Sequence, residues 1–108
     1  MSTTQIQVTA CDNELILIAI PSTADQSFNL LHYNSGYDKP VDVTLYPGAT
    51  LPTGDYTLSM IGINWGGVSA YSVTVTTDGV ASVYTGGGNN DVGPNWINNI
   101  PISVVSGQ

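Results

Sequence analysis

Two tryptophans stand apart from the rest of the sequence because each lies in a short segment rich in asparagine and glycine. Trp65 is in the segment Gly-Ile-Asn-Trp-Gly-Gly, and Trp96 is in the segment Asn-Trp-Ile-Asn-Asn. Neither neighbourhood is apolar, so we expect both rings in loops rather than in buried strands. An indole face stacks on the C–H groups of a sugar ring, while amide and carboxylate groups bind its hydroxyls. This combination predicts a site for a neutral carbohydrate.

The predicted site consists of these tryptophans and the amides and carboxylate nearest to them in the sequence. Tyr33, Tyr37 and Tyr46 would extend the aromatic surface. The alternative for either tryptophan alone is a structural role, in which the indole caps one end of the core and keeps a polar partner for its N–H. The predicted ligand-binding residues are Trp96, Asn95, Asn98 and Asp91 in one loop, and Trp65 and Asn64 in another.

Oxygen-bearing side chains cluster in the segments 12–14, 34–38 and 89–91. Calcium takes about six to eight oxygen ligands, and Asp91 and Asn90 are the best candidates by residue type. None of these segments has the regular spacing of an EF-hand loop, and Asn and Asp also stabilise turns through their own backbone. We therefore predict no cofactor, with calcium at Asp91 and Asn90 as the alternative.

Catalysis by a nucleophile is not indicated. His32 is the only histidine and Cys11 the only cysteine, and no motif places them together or supplies an oxyanion hole. In a strand that begins at Phe28, alternation places His32 on the same face as Phe28 and Leu30, at least partly inward. The glycines of 86–88 lack the Lys-Ser/Thr ending of a phosphate-binding loop and are interpreted as flexible loop residues. We predict that the protein is not an enzyme.

Cationic residues are almost absent. The chain has one lysine, no arginine and eight acidic residues, for a net charge of −7. Nucleic acids and anionic lipids require a basic surface, so neither is an expected partner. The N-terminus lacks a basic, apolar leader, and no apolar run approaches the roughly 20 residues of a spanning helix. We expect a soluble protein without membrane insertion, cytoplasmic when synthesised, with later release from the cell left open.

Strand patterns recur along the whole chain, separated by Gly, Pro, Asn and Asp. The run 15–20 is apolar on both faces, which predicts a deeply buried strand or a subunit contact. The spacing of Leu51, Gly54 and Tyr56 resembles a tyrosine corner, in which the phenol bonds to the backbone just upstream at a crossing between sheets. The other predicted strands are 5–10, 28–33, 41–46, 57–63, 71–76, 80–85 and 100–105.

The segment 71–85 predicts a β-hairpin with two competing registers. A two-residue turn at Asp78-Gly79 pairs Val75 with Ser82, whereas a three-residue turn with Gly79 in a bulge pairs Val75 with Ala81. The second register sets apolar residues opposite each other, so it is the one that we predict.

About seven to eight short strands in 108 residues predict a single domain, residues 1–108, with an all-β fold. We expect an antiparallel β-sandwich of Ig-like, Greek-key or jelly-roll type, and a small β-barrel is the alternative. The only lysine, Lys39, lies in a predicted turn, so no lysine protects the sheet edges. Either prolines, bulges and loops cover the edges or another copy of the chain does, and we predict a homo-oligomer.

These observations favour a carbohydrate-binding module whose weak sites are repeated by oligomerisation. In composition the chain resembles small bacterial and fungal lectins, which are also β-rich, rich in Thr, Asn and Gly, and poor in Lys and Arg; this resemblance includes no individual residues. Two other classes stay open. One is a self-assembling structural or interaction β-sandwich without a small-molecule site, and the other is an acidic inhibitor or toxin-associated module that presents its loops to a basic partner.

Overall fold

The computed structural model describes residues 4–23, 26–36 and 40–107. Within these ranges the chain forms eight β-strands and one short 3₁₀ helix at Pro47–Ala49, and no helix is long and apolar enough to span a bilayer. The strands are β1 (Thr4–Asp12), β2 (Glu14–Pro21), β3 (Phe28–Asn34), β4 (Val43–Leu45), β5 (Gly54–Asn64), β6 (Ala70–Thr77), β7 (Val80–Gly87) and β8 (Gly93–Val104).

The strands form two four-stranded sheets that pack face to face. Sheet A has the order β4-β1-β6-β7, and sheet B has the order β3-β2-β5-β8. Every pairing is antiparallel. The predicted β-sandwich is therefore confirmed, together with its number of strands, and the chain does not form the alternative closed barrel.

The core lies between the two sheets and comes from alternate residues of the strands. In β2, Leu15, Leu17 and Ala19 are fully buried, as the apolar run 15–20 predicts, while the isoleucines between them point to the outside of sheet B. The buried residues that contact one another in this core are Ile6, Val8, Cys11, Leu15, Leu17, Ala19, Val41, Leu51, Tyr56, Leu58, Met60, Val73, Val75, Ile100, Ile102 and Val104.

The chain crosses from sheet A to sheet B between β4 and β5 through the predicted tyrosine corner. The phenol Oη of Tyr56 donates a hydrogen bond to the backbone carbonyl of Pro52 at 2.6 Å, and the Tyr56 ring is buried. The bond ties the start of β5 to the crossing segment. The prediction from the spacing of Leu51, Gly54 and Tyr56 is therefore confirmed.

The β6–β7 hairpin has the two-residue turn, so the predicted three-residue turn was wrong. Val75 pairs with Ser82 rather than with the alanine before it. Asp78 and Gly79 both have positive φ, 51° and 81°, as the type I′ turn that matches the twist of the strands requires. The prediction assumed that apolar residues of the two strands pair with each other. That assumption fails because β7 is an edge strand whose residues are mostly exposed.

The last strand, β8, is longer than the sequence predicts. It has twelve residues and begins at Gly93, so residues 93–99, predicted as a loop, pair with β5. Gly, Pro and Asn disfavour strands in isolation, but pairing with a neighbouring strand overrides that local preference. Asn95, Trp96 and Asn98 therefore belong to a strand, with a bulge at Asn95.

Most strands at the sheet edges carry features other than lysine that limit edge-to-edge pairing. β4 has only three residues, β3 is bulged at Leu30, and β8 contains two prolines and the bulge at Asn95. β7 has a continuous register and no proline. Prolines, bulges and short length thus protect three of the four edges, so protection of these edges does not require a second copy.

Candidate functional site

Trp96 is a packing residue of the sandwich. Its indole stacks on the Tyr71 ring, with centroids 5.5 Å apart and planes 5° from parallel, and it packs against the hydrophobic core. The two rings come from opposite sheets, and each lies against a glycine of the other sheet: Tyr71 against Gly62, and Trp96 against Gly86. A Cβ atom at Gly86 would lie 2.2 Å from the indole. This glycine, interpreted from the sequence as a flexible loop residue, is therefore required for close packing.

Three of the predicted sugar-binding residues, Asn64, Asn95 and Asp91, come together in a network that holds the fold. Asn95 accepts a hydrogen bond from the Tyr71 phenol at 2.9 Å and donates one to the Asp91 carbonyl at 3.0 Å. Asn64 is fully buried and donates to the carbonyls of Gly67 and Asp91, each at 3.0 Å. These bonds close one end of the sandwich. The side-chain amides of Asn64 and Asn95 are engaged in these hydrogen bonds, so we leave both residues out of the candidate site.

Asn98 lies away from Trp65 along β8, whereas the backbone of Asp91 bonds to Asn64, the residue before Trp65. Asn98 pairs with Met60, a fully buried residue of β5, so it is on the inner side of the edge strand β8. Asp91 and Asn90 are in the exposed loop after β7. Among the residues that the structure describes, no three His, Cys, Asp or Glu side chains cluster so as to hold a metal ion. Calcium at Asp91 and Asn90 stays a prediction.

Cys11 is an inert thiol inside the sandwich. Its Sγ lies 3.7 Å from the backbone carbonyl oxygen of Tyr33. Burial, with the nearby charges of Asp12 and Glu14, raises the pKa of the thiol to about 12. A thiol with this pKa is protonated at neutral pH and is not a nucleophile.

His32 lies on the outer face of sheet B, so the prediction that it shares an inward face with Phe28 and Leu30 was wrong. The strand is bulged at Leu30, and the extra residue shifts the alternation that follows it. His32 consequently points outward with 48% of its side chain exposed, while Leu31 packs against the core. No Cys11–His32 pair forms, because the thiol faces the interior and the imidazole faces solvent.

Trp65 is the predicted tryptophan whose ring reaches solvent. It directly follows β5, and its side chain is 62% exposed. Two hydrogen bonds nevertheless hold it in place. Its backbone N–H donates to Asn13 Oδ1 at 2.8 Å, and its indole Nε1 donates to Glu14 Oε1 at 2.7 Å. The ring is therefore both exposed and fixed.

Glu14 joins this indole to the imidazole of His32. Its second carboxylate oxygen, Oε2, bonds to His32 Nε2. The hydrogen bonds from Trp65 and from His32 lower the pKa of Glu14, whose side chain is only 12% exposed. Each carboxylate oxygen keeps a second lone pair for a further donor. An ionised acceptor, an imidazole and an open indole face thus adjoin on one surface, which we call the Trp65 cluster: Trp65, Glu14, His32 and Asn13.

Sequence reasoning missed three members of the cluster, Glu14, His32 and Asn13. Glu14 and Trp65 are 51 residues apart in the chain, and only the pairing of β2 with β5 brings them together. The sequence offered one indication of these residues: Glu14 is the only glutamate and His32 the only histidine in the chain.

The tyrosines do not enlarge the cluster as predicted. Tyr33 packs against the core, and Tyr37 lies outside the described residues. Tyr46 is 56% exposed, but it follows β4, which pairs with the early part of β1. Asn13 follows the other end of β1, so Tyr46 and Trp65 are at opposite ends of the sandwich.

A cavity of about 460 Å³ lies beside the tyrosine corner, at the end away from Trp65. Its two aromatic rings, Phe28 and Tyr56, pack edge to face with centroids 6.4 Å apart, and neither is fully exposed. The Asp55 carboxylate in its wall accepts a hydrogen bond from Ser103 at 2.9 Å. Because the rings are turned into the protein, this cavity offers no open stacking surface, and the Trp65 cluster is the better candidate site.

Fold and site together define a β-sandwich with an open aromatic and carboxylate surface at one end. No family model, curated protein or solved structure matches the chain. The chemistry of the Trp65 cluster is therefore the basis for a functional assignment.

Proposed function

We propose that the protein is a carbohydrate-binding module that presents Trp65 as a stacking surface for a neutral sugar. The observation that supports this function is an indole that is 62% exposed and yet anchored by its hydrogen bond to Glu14. Tryptophan is enriched among the residues that dominate binding energy at recognition surfaces. A ring that is already fixed loses little conformational entropy when a ligand binds.

A neutral sugar fits the charges of the cluster. Its C–H face stacks on the indole, and its hydroxyls donate to the Glu14 carboxylate beside the ring. A sugar that carries a carboxylate or phosphate would be repelled by Glu14 and by the net charge of −7, and the chain has no arginine to bind it.

The cluster is open rather than enclosed, so each sugar contact is expected to be weak. Several copies of the chain would supply avidity, which links this function to the predicted homo-oligomer. We propose no catalytic role, because the Cys11 thiol is buried with a raised pKa and faces away from His32, so no nucleophile adjoins the imidazole.

A glycan array with matched variants tests the proposal. We expect the wild-type protein to bind at least one class of neutral glycan. Trp65→Ala should lose affinity by about tenfold or more, because the stacking surface is removed. Tyr46→Ala is the matched control, since it removes another exposed aromatic ring at the opposite end of the sandwich, and it should bind like the wild type. Repeating the array with a calcium chelator tests the calcium prediction.

Tryptophan fluorescence gives a second readout on the same variants. Binding should shift the Trp65 emission to the blue and protect it from a soluble quencher, because the ring leaves water. The shift should be absent in Trp65→Phe, which retains only Trp96. An array on which no neutral glycan binds, or on which Trp65→Ala binds as well as the wild type, would refute the proposal.

A further inference from the structure

The outer face of sheet B carries six isoleucines, together with polar residues such as Thr57, Ser59 and Asn99. The register places Ile16 opposite Ile61, and Ile61 opposite Ile97, in one row across three strands. Ile97 is 66% exposed. We refer to the outward-pointing isoleucines of sheet B as the isoleucine face: Ile16, Ile18, Ile20, Ile61, Ile63 and Ile97.

The outer face of sheet A is more polar, although its edge strand β7 exposes Val83. Between the core positions of β1 and β6 lie Gln5, Gln7, Ser72, Thr74 and Thr76. Polar residues are usual at the outward positions of a sandwich. A contiguous apolar patch on the other sheet is instead typical of an interaction surface.

The isoleucine face is neutral, although the molecule carries a net charge of −7. Ionisable side chains on the described outer side of sheet B lie at its margins. Glu14 is at one end and Asp55 at the other, and His32, which bonds to Glu14, is on the edge strand β3 opposite Ile16. A basic partner would find little opposite charge on this face, whereas a second copy of the chain would present the same neutral surface.

The isoleucine face lies on a broad side of the molecule. The molecule measures 41 × 29 × 18 Å, so each sheet presents a surface that is broad relative to the thickness. A standard interface requires about 800 Å² of surface from each partner, so the contact would include the polar residues around the isoleucines. Sheets also pack on each other readily, about 10 Å apart, when branched apolar side chains interdigitate.

We propose that the isoleucine face is the contact between two copies of this chain, packed sheet against sheet about a twofold axis. In such a contact the same patch is buried on both copies, so a self-complementary, uncharged surface is what it requires. This dimer does not depend on sugar binding by Trp65. Glu14 and His32 of the Trp65 cluster lie on the same outer face, paired with Ile63 and Ile16, so the contact would lie directly beside the cluster.

Analytical ultracentrifugation of the full chain and one variant tests the proposal. The monomer mass is 11.3 kDa, and we expect the wild type to sediment with twice that mass. Ile18 is on the central strand β2, so Ile18→Lys places a charge inside the contact and not at a sheet edge. The dissociation constant should rise by about a hundredfold or more, because an unpaired charge would be buried.

Two control variants identify the surface. Thr74→Lys makes the same charge change on the outer side of β6, a central strand of sheet A, and should remain a dimer. Val83→Lys places lysine on β7, the edge without a bulge or proline, and should also remain a dimer if the contact is face to face. Circular dichroism establishes that each variant is folded, and Ile97→Lys replaces Ile18→Lys if the latter does not fold.

Two results would overturn the proposal. A wild-type protein that is monomeric at the highest concentration it tolerates has no such contact. A dimer that Val83→Lys dissociates and Ile18→Lys does not would be formed by pairing at the edge of β7. Because no sugar is present, either result leaves the glycan array to be judged separately.

Discussion

A single carboxylate, that of Glu14, determines how the Trp65 ring is held. It accepts the indole N–H with one oxygen and bonds to the His32 imidazole with the other. Both hydrogen bonds are made to the ionised form, so both lower the pKa of Glu14. The exposed ring therefore depends on the charge state of one neighbour.

Acidification should weaken the hydrogen bonds that hold Trp65 and His32 to Glu14, because it protonates the carboxylate. Because the pKa of Glu14 in the folded protein is below its ordinary value of 4.5, the ionised side chain stabilises the folded state above that pH. This contribution is lost as the pH falls through the lowered pKa. Glu14→Gln keeps an oxygen acceptor but not the charge. Urea unfolding should therefore show that the wild type is more stable than Glu14→Gln at neutral pH. This difference in the free energy of unfolding should shrink below pH 4.5. A difference that grows on acidification would contradict this account.

At the scale of strands, the sequence predicted the features that depend on residues close together in the chain. Strand existence and the Tyr56 corner depend on alternation and short spacing, and both were confirmed. Features fixed by pairing were missed. The bulge at Leu30 leaves no mark in the sequence but turns His32 outward, and residues 93–99 form a strand only because β5 is beside them. The candidate site was half predicted for the same reason. The sequence indicated Trp65, but it did not indicate the β2–β5 register that brings Glu14 to this residue.

Packing between the sheets makes Gly86 sensitive to substitution. Gly86→Ala should lower the free energy of unfolding by about 1–3 kcal/mol, because the added methyl group would overlap the Trp96 indole, which is stacked on Tyr71. Gly66→Ala is the matched control, since its Cβ would meet nothing within 4 Å. Urea denaturation of both variants measures the difference. Equal stability of the two variants would mean that the aromatic stack moves freely and that Gly86 is not a packing residue.

At the scale of the whole molecule, charge and apolar surface are separated. The acidic side chains in the described part of sheet B's outer side are confined to its ends, and six isoleucines lie between and beside them among polar residues. Two copies that meet through this face each carry a net charge of −7, so long-range repulsion opposes the approach while burial of the isoleucines favours it. The balance between the two depends on ionic strength.

This balance gives different salt dependences for the two proposed contacts. Added salt shortens the screening length from about 10 Å at 0.1 M to about 3 Å at 1 M, which weakens repulsion between the acidic protomers. The dissociation constant of the dimer, measured by ultracentrifugation, should therefore fall as sodium chloride is added. Binding of a neutral sugar at Trp65 involves no net charge on the ligand, so its affinity should change little over the same range. A dimer that weakens with salt would be held by ion pairs, which the isoleucine face does not contain, and that outcome would place the contact elsewhere on the molecule.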